Sequence, residues 1–143
     1  MSEKQKRAVE LFDEGFNCAQ SVIAVFANDL PGDTSTALRM AGGFGHGLRS
    51  GEVCGAISGA VMVLCLREGS DEPSDQVAKA ACNAQTLELM RTLTARLGAC
   101  ECRKLIVDEK LKARGSLTCP GCTRRSCAAV IEAAVEALEE RGF

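Results

Sequence analysis

Between Gly42 and Gly59 the chain reads GGFGHGLRSGEVCGAISG and carries seven of its 14 glycines. Glycine lacks a Cβ, so it admits positive φ and lets another backbone or a ligand come close. The first half of the stretch is therefore a loop. The second half leads into a helical pattern: Ser50 or Gly51 suits the cap of a helix from Glu52 to about Arg67, with Cys54 in its first turn. Gly55 and Gly59 then lie four apart on one helix face, where each costs about 1 kcal/mol against alanine. Something must come close enough to compensate, either a tightly packed neighbouring helix or a cofactor. A Walker-type phosphate loop is excluded, because the spacing lacks its lysine and the preceding elements read as helix rather than strand.

The remaining segments carry helical periodicity. Ser2-Glu3-Lys4-Gln5 fits a capping box for a helix through Glu14, stopped at Gly15, with Ala8, Leu11 and Phe12 inward. Asn17 suits the N-cap of a helix from Cys18 to about Asn28, its buried face Ala19, Val22, Ile23 and Phe26. Asp33, Thr34 or Ser35 caps a short helix through Met40. After the turn around Pro73, a long helix reaches Leu97, with Val77, Ala80, Ala84, Leu87, Met90 and Leu97 expected inward and Gly98 ending it. Cys100-Glu101-Cys102 opens a helix to about Ala113, and Ser126 caps a last helix from Cys127 to about Glu140, with Val130, Ile131, Ala134, Val135 and Leu138 inward. Five phenylalanines are the only aromatics, so the core is Leu, Val, Ile and Ala, which suits close helix packing. At 143 residues the expectation is one all-α domain, a bundle of about six helices with a glycine-rich loop.

Net charge is −2 with the signs interspersed, which does not favour nucleic acid as a partner. The start, MSEKQKR, lacks the apolar core of a signal peptide, and the run Ala56 to Leu66 is too short to span a bilayer. The expectation is a soluble cytoplasmic protein without membrane insertion. Nine cysteines in a reducing compartment point to metal binding or redox chemistry rather than a static disulfide framework. Alanine- and glycine-rich helix faces leave a homodimer open.

Cys18, Cys54, Cys102 and Cys127 each fall at the amino-terminal end of an expected helix. Unpaired amides and the helix dipole there favour a thiolate. Should these helix starts converge, they would hold a thiolate-rich metal or iron–sulfur centre, or activate thiols for exchange. Cys65 and Cys82, inside helical patterns, read as buried structural cysteines. His46, the only histidine, can reach a metal or tune a thiolate from the loop. Cys100-x-Cys102 and Cys119-x-x-Cys122 approach four-cysteine zinc spacing, so a second site at Cys100, Cys119 and Cys122 is a further expectation. The Cys119/Cys122 pair can alternatively cycle as a disulfide. It is followed by Thr123 rather than His, so c-type haem attachment is not expected.

These pieces resemble the family of redox-active proteins named for its cysteine pattern C…GCAxxG…C…C. The matching residues are Gly15-Phe16-Asn17-Cys18-Ala19-Gln20-Ser21-Val22, Gly42-Gly43-Phe44-Gly45-His46-Gly47, Cys54-Gly55-Ala56-Ile57-Ser58-Gly59, Cys102-Arg103-Lys104-Leu105, and Cys127 ahead of Val130-Ile131 and Ala133-Ala134. The resemblance implies an all-helical domain in which Cys18, Cys54, Cys102 and Cys127 are the functional four. It does not supply a reaction. More distantly, the chain is similar to the cysteine-bearing part of split-Soret cytochromes, which implies an iron–sulfur centre by analogy.

Three functions compete. In the first, the four cysteines hold an iron–sulfur cluster, of two-iron type since four thiolates suffice, or another thiophilic metal. Gly43, Gly45, Gly47 and Gly55 then shield it, and a separate redox partner protein exchanges electrons with it. In the second, the protein is metal-free and exchanges thiols and disulfides, with Cys54 attacking and Cys18 or Cys127 resolving. In the third, it is a helical interaction module with structural zinc or merely small buried thiols.

Overall fold

A computed structural model describes residues 1–115 and 124–143. Ser2 accepts from the Gln5 amide while the Gln5 side chain accepts from the Ser2 amide, and this capping box starts α1, Glu3–Glu14. Gly15, at φ 122°, ends it. Asn17 and Gln20 repeat the same reciprocal bond and start α2, Cys18–Phe26, which continues as one 3₁₀ turn through Asp29. Asp33 caps α3, Thr34–Met40. Then come α4, Gly55–Glu68, and α5, Gln76–Leu97, capped by Asp75 and closed by Gly98. The short α6, Cys102–Leu105, and α7, Glu109–Arg114, precede α8, Arg125–Glu139. The described residues thus form eight α-helices and no strand, apart from one isolated antiparallel bridge between Val53 and Glu101. The all-α expectation holds.

Helix α8 is the spine. Ten of its residues are buried, from Ser126 to Leu138, and it packs on α1, α2, α4, α5 and α7. All five inward residues expected of it are buried, as are all four expected of α2. The pairing that sets the site is α2 against α4. A Cβ on Gly59 would stand 2.7 Å from the Ala19 carbonyl oxygen and 2.9 Å from its Cα, and one on Gly55 would stand 2.6 Å from the Phe44 carbonyl oxygen. The two glycines four apart therefore admit the backbone of a neighbouring helix and loop. This contact answers their helix-propensity cost through close packing.

Four expectations are corrected. Helix α4 begins three residues late, because Glu52 and Val53 are extended: Cys54 N–H donates to Cys100 O at 2.8 Å, and Cys102 N–H donates to Glu52 O at 2.7 Å. The helix expected from Cys100 to Ala113 is two helices, since Asp108 accepts from the Lys110 and Leu111 amides and starts a new one. Ser126 lies inside α8 rather than at its cap; it is fully buried and its hydroxyl donates to Ile106 O at 3.1 Å. In α5 only Leu89, Leu93 and Leu97 are buried, whereas Val77 is 83% and Leu87 51% exposed. The covered side of α5 is the one that carries Cys82, Thr86, Leu89, Leu93 and Leu97 at three- and four-residue spacing, with Cys82 and Thr86 against Cys65 of α4, and Val77 and Leu87 lie on sides turned away from it.

Candidate thiol redox site

Three short backbone devices bring the cysteine-bearing helix starts together. The Asn17 side-chain amide, besides capping α2, donates to the Ala41 and Gly42 carbonyls at 3.1 and 3.2 Å, which ties the glycine loop to the turn before Cys18. The loop then makes a left-handed turn: His46, Gly47, Leu48 and Arg49 have φ of 53, 59, 58 and 59°. Gly47 is forced, because a Cβ there would collide with the Glu52 backbone, whose N–H donates to Gly47 O at 3.0 Å. The Val53–Glu101 bridge finally sets Cys54 beside the Cys100–Cys102 segment.

Cys18 is the first residue of α2, Cys54 the N-cap of α4, Cys102 the first residue of α6, and Cys127 the third of α8. Cys18, Cys54 and Cys102 are buried and Cys127 is half-buried. All are free thiols. Their electrostatics are unequal. Cys18 is lowered to about 7, first by a hydrogen bond from the Cys127 thiol, then by the His46 backbone N–H, its own N–H and the positive charge of Arg124, against the opposing effect of burial. Arg124 precedes α8 and stacks its guanidinium 3.8 Å from the centre of the Phe12 ring.

The other three move the opposite way. Cys127 is raised, first by its bond to the Cys18 sulfur, then by burial, then by the charges of Cys18, Cys54 and Cys102. Cys54 is pushed up to about 12 by burial and by the Cys18 charge, which outweigh the Ala56 and Ile57 amides. Cys102 is raised by burial and by Cys18. Helix-start amides were expected to favour a thiolate at all four positions, with Cys54 the attacker. In the fold the shifts diverge: Cys18 is lowered, and its charge raises its neighbours, as interacting acids do.

His46 is exposed, with its Nδ1 3.9 Å from the Cys102 sulfur while its backbone N–H serves Cys18. Of the loop glycines expected to shield a cofactor, Gly45, Gly47 and Gly55 are filled around by Asn17, the Glu52 backbone and Phe44 O, whereas nothing stands within 4 Å of a Cβ at Gly43. Cys100 is half-buried and its carbonyl serves Cys54. Cys119 and Cys122 lie outside the described residues. Among the described residues no group of three or more Cys, His, Asp or Glu side chains is placed to hold one metal ion. The titrations of the four sulfurs are linked through the charge of Cys18. Arg124 and the His46 amide were not singled out from the sequence. The Asn17…Gln20 capping box was a readable signal for the loop anchor, but no local signal marks Arg124.

Comparison with curated proteins and with solved structures gives no match. The family model described as "Putative redox-active protein (C_GCAxxG_C_C)" matches residues 16–141, a span that takes in Cys18, Cys54, Cys102 and Cys127. The chain belongs to this C_GCAxxG_C_C family.

Proposed function

We propose that the protein is a thiol–disulfide redox protein whose working pair is Cys18 and Cys127. What supports this reading is the pairing of opposite shifts at two neighbouring helix starts: Cys18 is lowered to about 7 chiefly by Cys127, and Cys127 is raised chiefly by Cys18. A thiolate near neutrality is the attacking form in disulfide exchange, and a thiol with its ionisation near ambient pH combines thiolate population with nucleophilicity. The Cys18 thiolate attacks one sulfur of a partner disulfide and forms a mixed disulfide, releasing the first partner thiolate. The Cys127 sulfur then attacks Cys18 Sγ, its proton leaves with the second partner thiol, and a Cys18–Cys127 disulfide remains. Two electrons pass from the protein to the partner, and the reverse sequence reduces the protein. Cys54 and Cys102 stay protonated beside the pair, and their buried, neutral sulfurs keep it dry without adding charge.

The test is a redox titration of protein purified without oxygen, with free thiols alkylated at each potential and the cross-linked peptides mapped by mass spectrometry. The expected result is a reversible Cys18–Cys127 cross-link, with Cys54 and Cys102 alkylated throughout after unfolding. Iron and zinc are measured on the same preparation. Stoichiometric iron with a coloured spectrum and no Cys18–Cys127 cross-link would replace this reading with the cluster reading. Stoichiometric zinc whose removal unfolds the domain would replace it with the structural one.

A further inference from the structure

At the opposite end of α4 from Cys54 lies a second pair of thiols. Cys65 on α4 and Cys82 on α5 bring their sulfurs to 3.5 Å, and the Thr86 hydroxyl stands 4.0 Å from Cys65 Sγ. Neither residue belongs to the four cysteines of the family pattern. Neither is buried as a purely structural cysteine would be: both are half-buried and line one pocket of about 1070 Å³. The pocket is lined by the end of α4, the Gly69–Asp75 connection, the first turns of α5, and Pro31 and Gly32. Its charged groups are the carboxylates of Asp71, Glu72 and Asp75 and one ammonium, Lys79.

We propose that Cys65 and Cys82 are a second redox couple, closed to a disulfide by a low-molecular-weight neutral or cationic disulfide that enters this pocket. One protein sulfur attacks the small disulfide and forms a mixed disulfide, releasing the first small thiol. The second protein sulfur, already in contact with the first, displaces the second small thiol. Two electrons pass to the small disulfide, its S–S bond breaks, the Cys65–Cys82 bond forms, and the two protein protons leave on the two small thiols. Contact between the sulfurs makes the second step intramolecular and fast. Cys65 is pushed up by burial and by the adjacent Cys82, so one proton stays within the pair until the second step. Three carboxylates against one ammonium give the pocket a negative potential, which concentrates a cation and repels an anion. The product staples α4 to α5 across the short connection between them. This site is independent of the Cys18–Cys127 reading.

The experiment exposes the full-length reduced protein to cystamine, a dication, and separately to oxidised glutathione, an anion, at low ionic strength, with peptide-resolved mass spectrometry at timed quenches. The expected result is a Cys65–Cys82 cross-link about 2 Da lighter than the dithiol, formed several-fold faster with cystamine, the advantage shrinking as salt is added. In Cys65→Ser and in Cys82→Ser the remaining sulfur is expected to keep its mixed disulfide. Accumulation of mixed disulfides on the folded wild-type protein without a cross-link would overturn the couple, as would two thiols that stay free under both reagents. Equal rates with the two disulfides would overturn the assignment of the pocket to neutral and cationic ones.

Discussion

Replacing Cys127 separates its two roles, as donor of the hydrogen bond that holds the Cys18 thiolate and as the sulfur that resolves. In Cys127→Ala the largest influence lowering Cys18 is gone, while the His46 amide, the Cys18 amide and Arg124 remain. The Cys18 midpoint rises from about 7 toward its ordinary 9.0. At about pH 7 the thiolate fraction falls from about one half to about one hundredth at that limit, a loss of ~50-fold. A more basic thiolate is intrinsically the better nucleophile by about 0.4–0.5 log units per pKa unit, which returns about six- to tenfold, so alkylation of Cys18 slows by about five- to eightfold. In Cys127→Ser the hydroxyl still donates, so the Cys18 midpoint stays low, yet no disulfide can close. The assay is the rate of Cys18 modification by a small alkylating reagent against pH, read from the Cys18 peptide. The pH midpoint is compared rather than the absolute rate, so a change in access does not enter. An alanine variant that titrates at the wild-type midpoint, or a serine variant that titrates with the alanine one, refutes the argument that the Cys127 donor sets the Cys18 acidity.

The same shifts fix how stability depends on pH. Cys18 is lowered in the fold, so its contribution is complete above pH ~9 and lost as pH falls through about 7; in Cys18→Ser denaturant melts lose that slope. Cys54 is raised to about 12, so its contribution is complete below 9.0 and lost as pH rises toward 12; Cys54→Ala is expected to flatten the alkaline decline in chemical denaturation. Gly59→Ala is expected to lower stability by about 1–3 kcal/mol by thermal melting, because backbone atoms of Ala19 stand 2.7–3.2 Å from the added Cβ and outweigh the gain in helix propensity. Gly43→Ala, with nothing within 4 Å, is its neutral control. Asn17→Ala removes both the α2 cap and the tie to Ala41 and Gly42, and is expected to cost about 1–2 kcal/mol and to raise the Cys18 midpoint as the His46 amide loses its anchor.

What the sequence disclosed follows from which forces are local. Helix starts at Ser2, Asn17 and Asp33 were legible because a cap is a bond between residues three apart. The buried faces of α2 and α8 were legible because both helices are covered along their length. The face of α5 was misread because its apolar residues are spread around the helix, so periodicity did not single out the side of Cys82, Thr86, Leu89, Leu93 and Leu97 that meets α4, and Val77 and Leu87 lie away from it. The four cysteines were legible by position, but their inequality was not. The rule that a helix start favours a thiolate treats each position alone. In the fold the first charge falls on Cys18 and then acts on Cys54, Cys102 and Cys127. Cys65 and Cys82 were read singly as core residues; their contact comes from the α4–α5 pairing and leaves no trace in spacing.

The left-handed turn at residues 46–49 shows what the glycine stretch is for. Three of its four residues, His46, Leu48 and Arg49, carry side chains, and left-handed backbone costs about 1–2 kcal/mol for each such residue. A cost of several kcal/mol persists only where the surroundings over-determine the conformation. Here they do so from both ends. Asn17 holds the loop before the turn through Ala41 and Gly42, and Gly47 O takes the Glu52 amide after it, immediately ahead of the bridge to Glu101. Between these anchors His46 is turned so that its N–H meets Cys18 and its ring stands near Cys102. An ordinary right-handed turn would route the backbone differently and take the amide from Cys18. The glycines around it, Gly45 against Asn17 and Gly55 against Phe44 O, let the strained segment lie directly on the helix starts it serves. The stretch is therefore a backbone device that aims one N–H at one sulfur, and the acidity of Cys18 depends on it as well as on Cys127.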